Sequence, residues 1–279
     1  MAQSAGGLRR VFLQIRGRLA RWWLYRYVLP AADHVFVQSA KMKENIVSQG
    51  VRAEKITPVP MGIPPHLLDL ATGPAAAEVP GQIVYLGTLA ASRRLEVLIE
   101  AFALVRQRHP AATLLMVGEG DFPHERAALE QLAERLGVGD AVRFTGFLPM
   151  VEAWGLVISS AVCVSPFAPS PTLDVCSPTK LVEYLALAKA AVANRHPEQS
   201  QVLEESRAGV LTEWGPQPFA EGISRVLADP AAAREMASRG PAWVRTHRTY
   251  DHIAAAVCAR YATLQAARRP IDIAFKGEK

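Results

Sequence analysis

The chain has 279 residues, 50% of them hydrophobic, and a formal net charge of +5. This length can bury one or two ordinary hydrophobic cores, so a globular protein is expected. Its three cysteines form no Cys-x-x-Cys pair, which argues against a disulfide framework or a zinc site and favours a reducing cytosol. No apolar run approaches the roughly 20 residues that a membrane-spanning helix needs, and residues 1–8 show no signal-peptide pattern.

The first 32 residues contain six arginines and no acidic residue. The arginines alternate with aromatic and aliphatic residues, a pattern that predicts a basic helix with an apolar flank. Residues 9–27 of this helix could pack on a domain with the arginines in water, or lie on an anionic membrane surface. Nucleic acid is a third conceivable partner, but nothing else in the sequence supports it, and none is expected.

The following segments predict a small mixed region. They are a strand at 33–39 that ends in an N-cap serine, a helix at 40–49 and a strand at 55–59. Residues 64–81 are rich in proline, alanine and glycine and predict a linker. We therefore expect a domain boundary there, with residues 1–75 forming a first unit.

From residue 82 onward, short apolar strands alternate with amphipathic helices. The predicted strands are 83–86, 112–117, 141–145, 161–165, 190–193 and 208–212. The predicted helices lie near 93–108, 123–136, 151–158, 178–189, 198–205, 217–228 and 231–246, with a last one at about 250–268. This alternation predicts an α/β fold, a Rossmann-like, doubly wound parallel sheet in residues 76–249. Residues 250–279 then form a C-terminal helix and a basic tail.

In such a sheet, ligands bind beyond the carboxyl ends of the strands. Four loops that follow predicted strands are therefore candidate ligand-binding segments: 87–94, 118–121, 145–149 and 166–177. The last leads into a helix for which Ser177 is a suitable N-cap and Pro178 a suitable first residue. Lys180 in the first turn is unusual, because the helix dipole favours anions there, and a bound phosphate would explain it. A solvated lysine is the alternative.

Arg93 and Lys180, two cations at predicted helix starts, together make a plausible diphosphate clamp. Glu183, one turn deeper, could accept hydrogen bonds from the vicinal hydroxyls of a ribose, or form an ion pair with Lys180. Gly118 and Gly120 lack the third glycine of the dinucleotide fingerprint, and no P-loop occurs. No Asp-x-Asp occurs either, so neither a metal nor another cofactor is expected.

These loops, in this order and spacing, resemble glycosyltransferase family 4, the retaining nucleotide-sugar enzymes with the GT-B fold. The resemblance rests on residues 84–89 with Arg93, and on 115–120, 142–147 and 177–184. Two departures stand out. Thr88 occupies a position that is often arginine in the family, and Val175, beside Asp174, replaces the first glutamate of the paired-glutamate motif.

The resemblance implies a metal-independent hexosyltransferase. It would transfer a sugar from a nucleotide-diphosphate sugar to a sugar, lipid-linked or polysaccharide acceptor with retention, in the cytoplasm or at the cytoplasmic membrane face. The implied catalytic residues are Arg93, Lys180 and Glu183. The implied donor-binding residues are Gly87, Thr88, Gly118, Glu119, Gly120, Gly146, Phe147, Asp174, Ser177, Pro178 and Thr179.

The resemblance also implies that residues 1–75 are only part of an N-terminal, acceptor-side domain. Two other functions therefore stay open. One is a donor-binding or membrane-docking module without turnover. The other is a sugar-nucleotide epimerase, which shares the GT-B architecture and needs no acceptor.

Overall fold

The computed structural model describes residues 2–71 and 77–267 of the chain. The N-terminal elements are α1 (Ala2–Trp23), a π-helical turn (Leu24–Val28), α2 (Leu29–Ala31), β1 (Val35–Val37), α3 (Ala40–Val47), a 3₁₀ turn (Ala53–Lys55), β2 (Ile56–Pro58) and α4 (Leu67–Leu70). Strands β1 and β2 pair in parallel. The predicted cap of α3 is confirmed, since the Ser39 hydroxyl accepts from the Met42 amide at 3.1 Å.

A small cluster of four buried side chains joins α3 to this two-stranded sheet. They are Val37, Ile46, Val51 and Ile56. Helix α1 lies outside the cluster, and its side chains from residue 12 onward are exposed. None of the helices within the described ranges is long and apolar enough to cross a membrane.

The predicted linker at 64–81 is partly wrong. Residues 72–76 lie outside the described part, but α4 precedes them and β3 already begins at Val79. Leu67 and Leu68 are buried against the main core. The prediction followed the high content of proline, alanine and glycine and overlooked these two leucines. Their burial is enough to hold one helical turn against the core.

The main sheet has six parallel strands, which confirms the predicted Rossmann-like α/β class. They are β3 (Val79–Leu86), β4 (Thr113–Val117), β5 (Val142–Gly146), β6 (Ser160–Ser165), β7 (Ala191–Asn194) and β8 (Gly209–Thr212). Their spatial order is β5-β4-β3-β6-β7-β8, so the order reverses between β3 and β6. The helices are α5 (Glu96–Arg108), α6 (Pro123–Arg135), α7 (Met150–Ile158), α8 (Thr179–Ala186), α9 (Pro197–Ser206), α10 (Pro216–Ala228), α11 (Pro230–Ala237), α12 (Gly240–His247) and α13 (Tyr250–Ala267).

Strand β3 shows why the sheet is covered on both faces. Ile83 and Tyr85 belong to one core cluster, together with side chains of α5 and α10. Val84 and Leu86 belong to another, together with side chains of α7 and α8. Successive side chains of a strand point to opposite faces, so a strand buried on both sides is a continuous apolar run.

One predicted helix is divided in two. The pattern at 231–246 predicts a single helix, but α11 ends at Ala237 and α12 begins at Gly240. Pro241 is tolerated only in the first turn of a helix, so a new helix must begin there. Gly240 also lies close to α8, because a Cβ atom at this position would be 2.4 Å from the Leu185 carbonyl oxygen.

Candidate functional site

The loops that follow β3, β4 and β5 meet at the carboxyl edge of the sheet. The Gly87 amide donates to the Val117 carbonyl at 2.9 Å, and the Gly118 amide donates to the Gly146 carbonyl at 3.1 Å. The point at which the strand order reverses, between β3 and β6, lies next to these loops. Ligands of doubly wound sheets bind at such a point.

Two glycines make this approach possible. Gly118 has φ +137°, and a Cβ atom there would lie 2.1 Å from the Gly87 carbonyl oxygen. Gly87 has φ +149°, and its Cβ atom would lie 2.9 Å from Lys180 Nζ. A side chain at either position would strain the backbone, and one at Gly87 would also occupy the space next to Lys180. The predicted Gly87, Gly118 and Lys180 therefore form one compact group.

Lys180 lies in the first turn of α8 and is half-buried. Its Nζ donates to the Tyr85 hydroxyl at 3.0 Å and lies 4.1 Å from the centroid of that ring. Burial lowers the pKa of Lys180 to about 7; Arg93 adds to the effect and Glu183 opposes it. No carboxylate within the described ranges forms an ion pair with Lys180. Neither the solvated lysine nor the Lys180–Glu183 ion pair is therefore observed.

Arg93 is close to Lys180, but not at a helix start as predicted. It ends a 3₁₀ turn (Ala91–Arg93), and α5 begins only at Glu96 because Arg94 adopts a left-handed conformation with φ +52°. The Arg93 guanidinium carbon lies 5.6 Å from the centroid of the Phe167 ring, the same distance as Lys180 Nζ. Both cations thus face one buried aromatic side chain.

Glu183 lies one turn deeper in α8 and is half-buried. Burial raises the pKa of its carboxyl group, while the Trp154 indole and the Lys180 ammonium oppose the rise. The Trp154 Nε1 atom is buried and forms no hydrogen bond of normal length. Trp154 of α7 and Lys180 thus both favour the charged form of Glu183.

The helix start at α8 differs from the prediction. Pro178 occupies the cap position, and no side chain caps the helix. Ser177 is buried and is not the cap, because its hydroxyl accepts from the Met61 amide at 2.8 Å and donates to Glu198. The first amides of a helix have no partner within the helix, so those of Thr179 and Lys180 are available to an anion.

Glu119 pairs with Arg126 of the neighbouring helix α6. Its carboxylate accepts from Arg126 at 3.4 Å and from the Gly120 amide at 3.2 Å. Nearby, Glu125 accepts from the Phe122 amide at 3.0 Å and the Ala91 amide at 2.8 Å, so it ties the loop after β4 to the loop after β3. These amides, Ala91 first, lower the pKa of Glu125.

Other predicted donor residues lie at the margin. Phe147 is 84% exposed beyond the end of β5. Thr88 is also exposed, and its carbonyl accepts from the Tyr85 hydroxyl at 2.9 Å. Asp174 accepts from the Ser170 amide at 3.3 Å, within its own loop. These three residues could border a ligand at the α8 start but do not contact Lys180.

Several residues of the site are not identified by the sequence pattern. Asn194 holds Phe167 through two hydrogen bonds, of 2.8 and 2.9 Å, to its amide and carbonyl groups. The Tyr184 hydroxyl accepts from the Leu86 amide at 2.9 Å and so joins α8 to the end of β3. The role of Glu125 could have been predicted from the local sequence, because it lies two residues after Pro123 at the third position of a helix, as in a capping box. No local sequence pattern predicts the role of Tyr85.

The described residues offer no other assembly of this kind at the carboxyl edge. His196 is buried, and its Nε2 lies 2.9 Å from the Leu173 carbonyl oxygen, so it supports the loop rather than a ligand. Among the described residues, no group of three or more histidines, cysteines or acids could hold a metal ion. A cavity of about 690 Å³ lies at the opposite, amino edge of the sheet, between Lys189 and Arg234, and is separate from this site.

Two protein-family models match the chain. Residues 80–229, more than half of the chain, match the family model described as glycosyl transferases group 1. Residues 5–62 match a model described as a glycosyl transferase 4-like domain.

Curated relatives carry glycosyltransferase names. One is the lipopolysaccharide core biosynthesis glycosyltransferase LpsD of Rhizobium meliloti, 30% identical over 134 residues, which are 48% of this chain and 36% of that protein. Another is the D-inositol 3-phosphate glycosyltransferase of Corynebacterium urealyticum, 27% identical over 208 residues, which are 73% of this chain and 47% of that protein. The chain thus spans less than half the length of either relative.

Solved structures share the fold. Sucrose-phosphate synthase from Thermosynechococcus elongatus superposes with a TM-score of 0.72 at 24% identity, over 89% of this chain and 62% of that one. Anabaena Alr3699/HepE, in complex with UDP and glucose, gives a TM-score of 0.72 at 21% identity, over 88% of this chain and 66% of that one. The chain therefore belongs to the group 1 glycosyl transferases and has the α/β architecture of GT-B enzymes.

Proposed function

We propose that the carboxyl edge of β3, β4 and β6 binds the diphosphate of a nucleotide sugar, and that the enzyme transfers the hexosyl group to an acceptor with retention and without a metal ion. This proposal rests mainly on the surroundings of the Lys180 ammonium group. This group has no carboxylate partner among the described residues, and it lies beside Gly87 at the start of a helix with free amides.

The chemistry follows from the leaving group. Breaking the bond between the sugar and the diphosphate places negative charge on the diphosphate, and fixed donors aimed at that charge lower the barrier. Lys180, Arg93 and the first amides of α8 are such donors. A hydrogen bond to a charged group contributes about 1.5–3 kcal/mol, so two cations and two amides can supply substantial stabilisation without a metal.

Other residues of the site could contact the ribose and the base of the donor. We assign Glu183 to the ribose hydroxyls, because it is an acceptor one turn below the phosphate site. The loops at 118–120 and at Gly146 and Phe147 border the base, with Thr88 at the rim. Since one structural neighbour was solved with UDP and glucose, a uridine nucleotide and a hexose are the first donor to test. The LpsD relative makes a lipopolysaccharide core or similar glycan a reasonable acceptor class.

We further propose that α1 contacts an anionic membrane at its cytoplasmic face. Phe12, Ile15, Leu19 and Trp22 recur at intervals of three and four residues, so they form one stripe, and all four are exposed. Arg16 flanks the stripe. An apolar stripe bordered by arginines suits shallow insertion among acidic lipid headgroups.

A thermal-shift titration tests the proposed donor site. The purified chain is heated with UDP, GDP or ADP, or their sugar conjugates, in the presence of EDTA. A ligand at about 100 times its dissociation constant stabilises by about 2.7 kcal/mol, which is easily detected. We expect one nucleotide to raise the melting temperature, and Arg93→Asn to reduce the shift. Arg94→Asn is the matched control, because Arg94 is exposed and lies outside the site.

Product analysis separates the remaining possibilities. Retention predicts that the sugar first released or transferred keeps the anomeric configuration of the donor. A shift that EDTA abolishes would contradict metal independence. Nucleotide binding without any transfer would favour a donor-binding module, and conversion of the donor sugar without an acceptor would favour an epimerase.

A further inference from the structure

We infer that Glu198 and Arg248 are positioning residues that fix the start of α8 and couple ligand binding there to the N-terminal unit (residues 2–62). This inference rests on the proposed donor site. The two residues form an ion pair with 2.6 Å between Arg248 Nη1 and Glu198 Oε1, and each side chain is only 6% exposed. They lie on different elements, at the start of α9 and at the end of α12.

The pair reaches the donor loop through Ser177. The Ser177 hydroxyl donates to the same Glu198 oxygen that accepts from Arg248. Ser177 immediately precedes Pro178 and Thr179, where α8 begins. A shift of Glu198 would therefore move the helix start, and with it the free amides and Lys180.

Ser177 contacts the N-terminal unit directly, and the Arg248 backbone contacts Ile63, the residue that follows that unit. The Ser177 hydroxyl accepts from the Met61 amide at 2.8 Å. The backbone of Arg248 accepts from the Ile63 amide at 2.8 Å, and the Tyr250 amide donates back to Ile63 at 2.9 Å. The segment at 61–63, which leaves the N-terminal unit, and the segment at 248–250, which leads into α13, are thus joined to each other and to the α8 start.

A further contact supports this arrangement. The Ser39 hydroxyl, which caps α3, also donates to the Val175 carbonyl at 2.7 Å, two residues before Ser177. The loop before α8 is therefore held from the N-terminal unit on one side and from α9 on the other. Any change that an anion causes at the α8 start passes to both.

A buried ion pair is by itself weak evidence of a stabilising role. A buried ion pair loses hydration on both partners, and apolar residues of similar size often replace it at no cost in stability. Glu198 and Arg248 form hydrogen bonds to separate elements. Such a network can fix the positions of those elements relative to one another. A double replacement that removes both charges can therefore keep the fold and still disturb the donor loop.

The test uses the full chain and the nucleoside diphosphate found by titration with UDP, GDP and ADP. Its dissociation constant is measured for the wild type and for the double variant Glu198→Met, Arg248→Met. Hydrogen exchange of residues 35–63 is recorded with and without nucleotide. In the wild type we expect the nucleotide to slow exchange at 56–63 as well as at α8. In the double variant we expect binding to weaken about fivefold or more and the protection at 56–63 to disappear.

The matched control replaces an exposed ion pair next to α9. Arg195 and Glu213 lie 2.9 Å apart with 58% and 71% of their side chains exposed, and Arg195→Met, Glu213→Met should leave both readouts unchanged. If the buried double variant does not fold, Ser177→Ala removes the hydrogen bond to Glu198 and should have the same two effects. Ser177→Thr keeps a hydroxyl group and should restore the wild-type affinity and protection.

The outcomes separate the two proposals. A wild type that binds none of the three nucleotides refutes the donor site, and the coupling with it. Wild-type binding, together with folded Glu198 and Arg248 variants that keep the wild-type affinity and the protection at 56–63, refutes the positioning role alone.

Discussion

Lys180 is the residue of the proposed donor site whose charge changes near neutral pH. Its ammonium group lies against the Tyr85 ring and close to the Arg93 charge, and both burial and that charge favour the neutral form. A diphosphate placed next to it would reverse this preference. Binding would then take up a proton in the pH range where free Lys180 titrates.

The affinity for the nucleoside diphosphate should therefore fall as the pH rises above 7. The pKa of Lys180 is about 7 in the free protein, and a bound anion raises it. The contribution of the Lys180 charge to the affinity is thus full well below pH 7 and decreases by up to about tenfold per pH unit above it, until the pKa of the complex is reached. Calorimetric titration at pH 7, 8 and 9 measures this.

Lys180→Arg is the matched variant for the pH profile, because a guanidinium group stays charged over this range. Its affinity should be nearly independent of pH. A wild-type profile as flat as that of Lys180→Arg would show that Lys180 does not titrate with the ligand.

Gly118 should not tolerate a side chain. Its φ of +137° and the 2.1 Å separation between a Cβ atom and the Gly87 carbonyl oxygen leave no space. We expect Gly118→Ala to lower the free energy of unfolding by about 2 kcal/mol in urea titrations followed by circular dichroism. Gly155→Ala is the control, since Gly155 lies inside α7 with no atom near its Cβ position, and it should gain about 0.5–1 kcal/mol. Equal effects at the two positions would contradict the close approach.

At the scale of elements, the positions of the strands could be predicted from the sequence, but the contacts between different strands and loops could not. Each strand of the main sheet is a short apolar run between amphipathic helices, a pattern that fixes its position within a few residues. Gly87 and Gly118 were predictable because they follow such runs. The roles of Asn194 and Tyr85 were not, since they depend on which strands become neighbours. Asn194 holds a residue 27 positions earlier in the chain.

Helix α1 packs little against the rest of the molecule from residue 12 onward. Its side chains from residue 12 onward are exposed, so it contributes little to any core. In solution, we expect trypsin to cleave after Arg16, Arg18 or Arg21 before it cleaves within 79–249. Vesicles that contain phosphatidylglycerol should slow this cleavage, and vesicles of phosphatidylcholine should not.

Two variants make the vesicle experiment specific. Leu19→Gln lies in the apolar stripe and should remove the protection. Leu13→Gln is also at an exposed leucine but on another face of α1, and it should keep the protection. Cleavage at the same rate with and without anionic vesicles would contradict membrane contact.

At the scale of the whole molecule, the complete Rossmann-like sheet contrasts with the small N-terminal unit, in which the described residues form two strands. The chain covers 62% and 66% of the two structural neighbours above. The proposed donor site lies at the carboxyl edge of the six-stranded sheet. The Glu198–Arg248 network shows that the N-terminal unit is nevertheless joined to that site by hydrogen bonds.

The most direct test of this account is a crystal structure of the chain with the nucleoside diphosphate that binds it. We expect the diphosphate at about 3 Å from Lys180 Nζ and from the first amides of α8, on the side of Arg93. A diphosphate bound instead in the cavity of about 690 Å³ between Lys189 and Arg234, at the amino edge of the sheet, would contradict it.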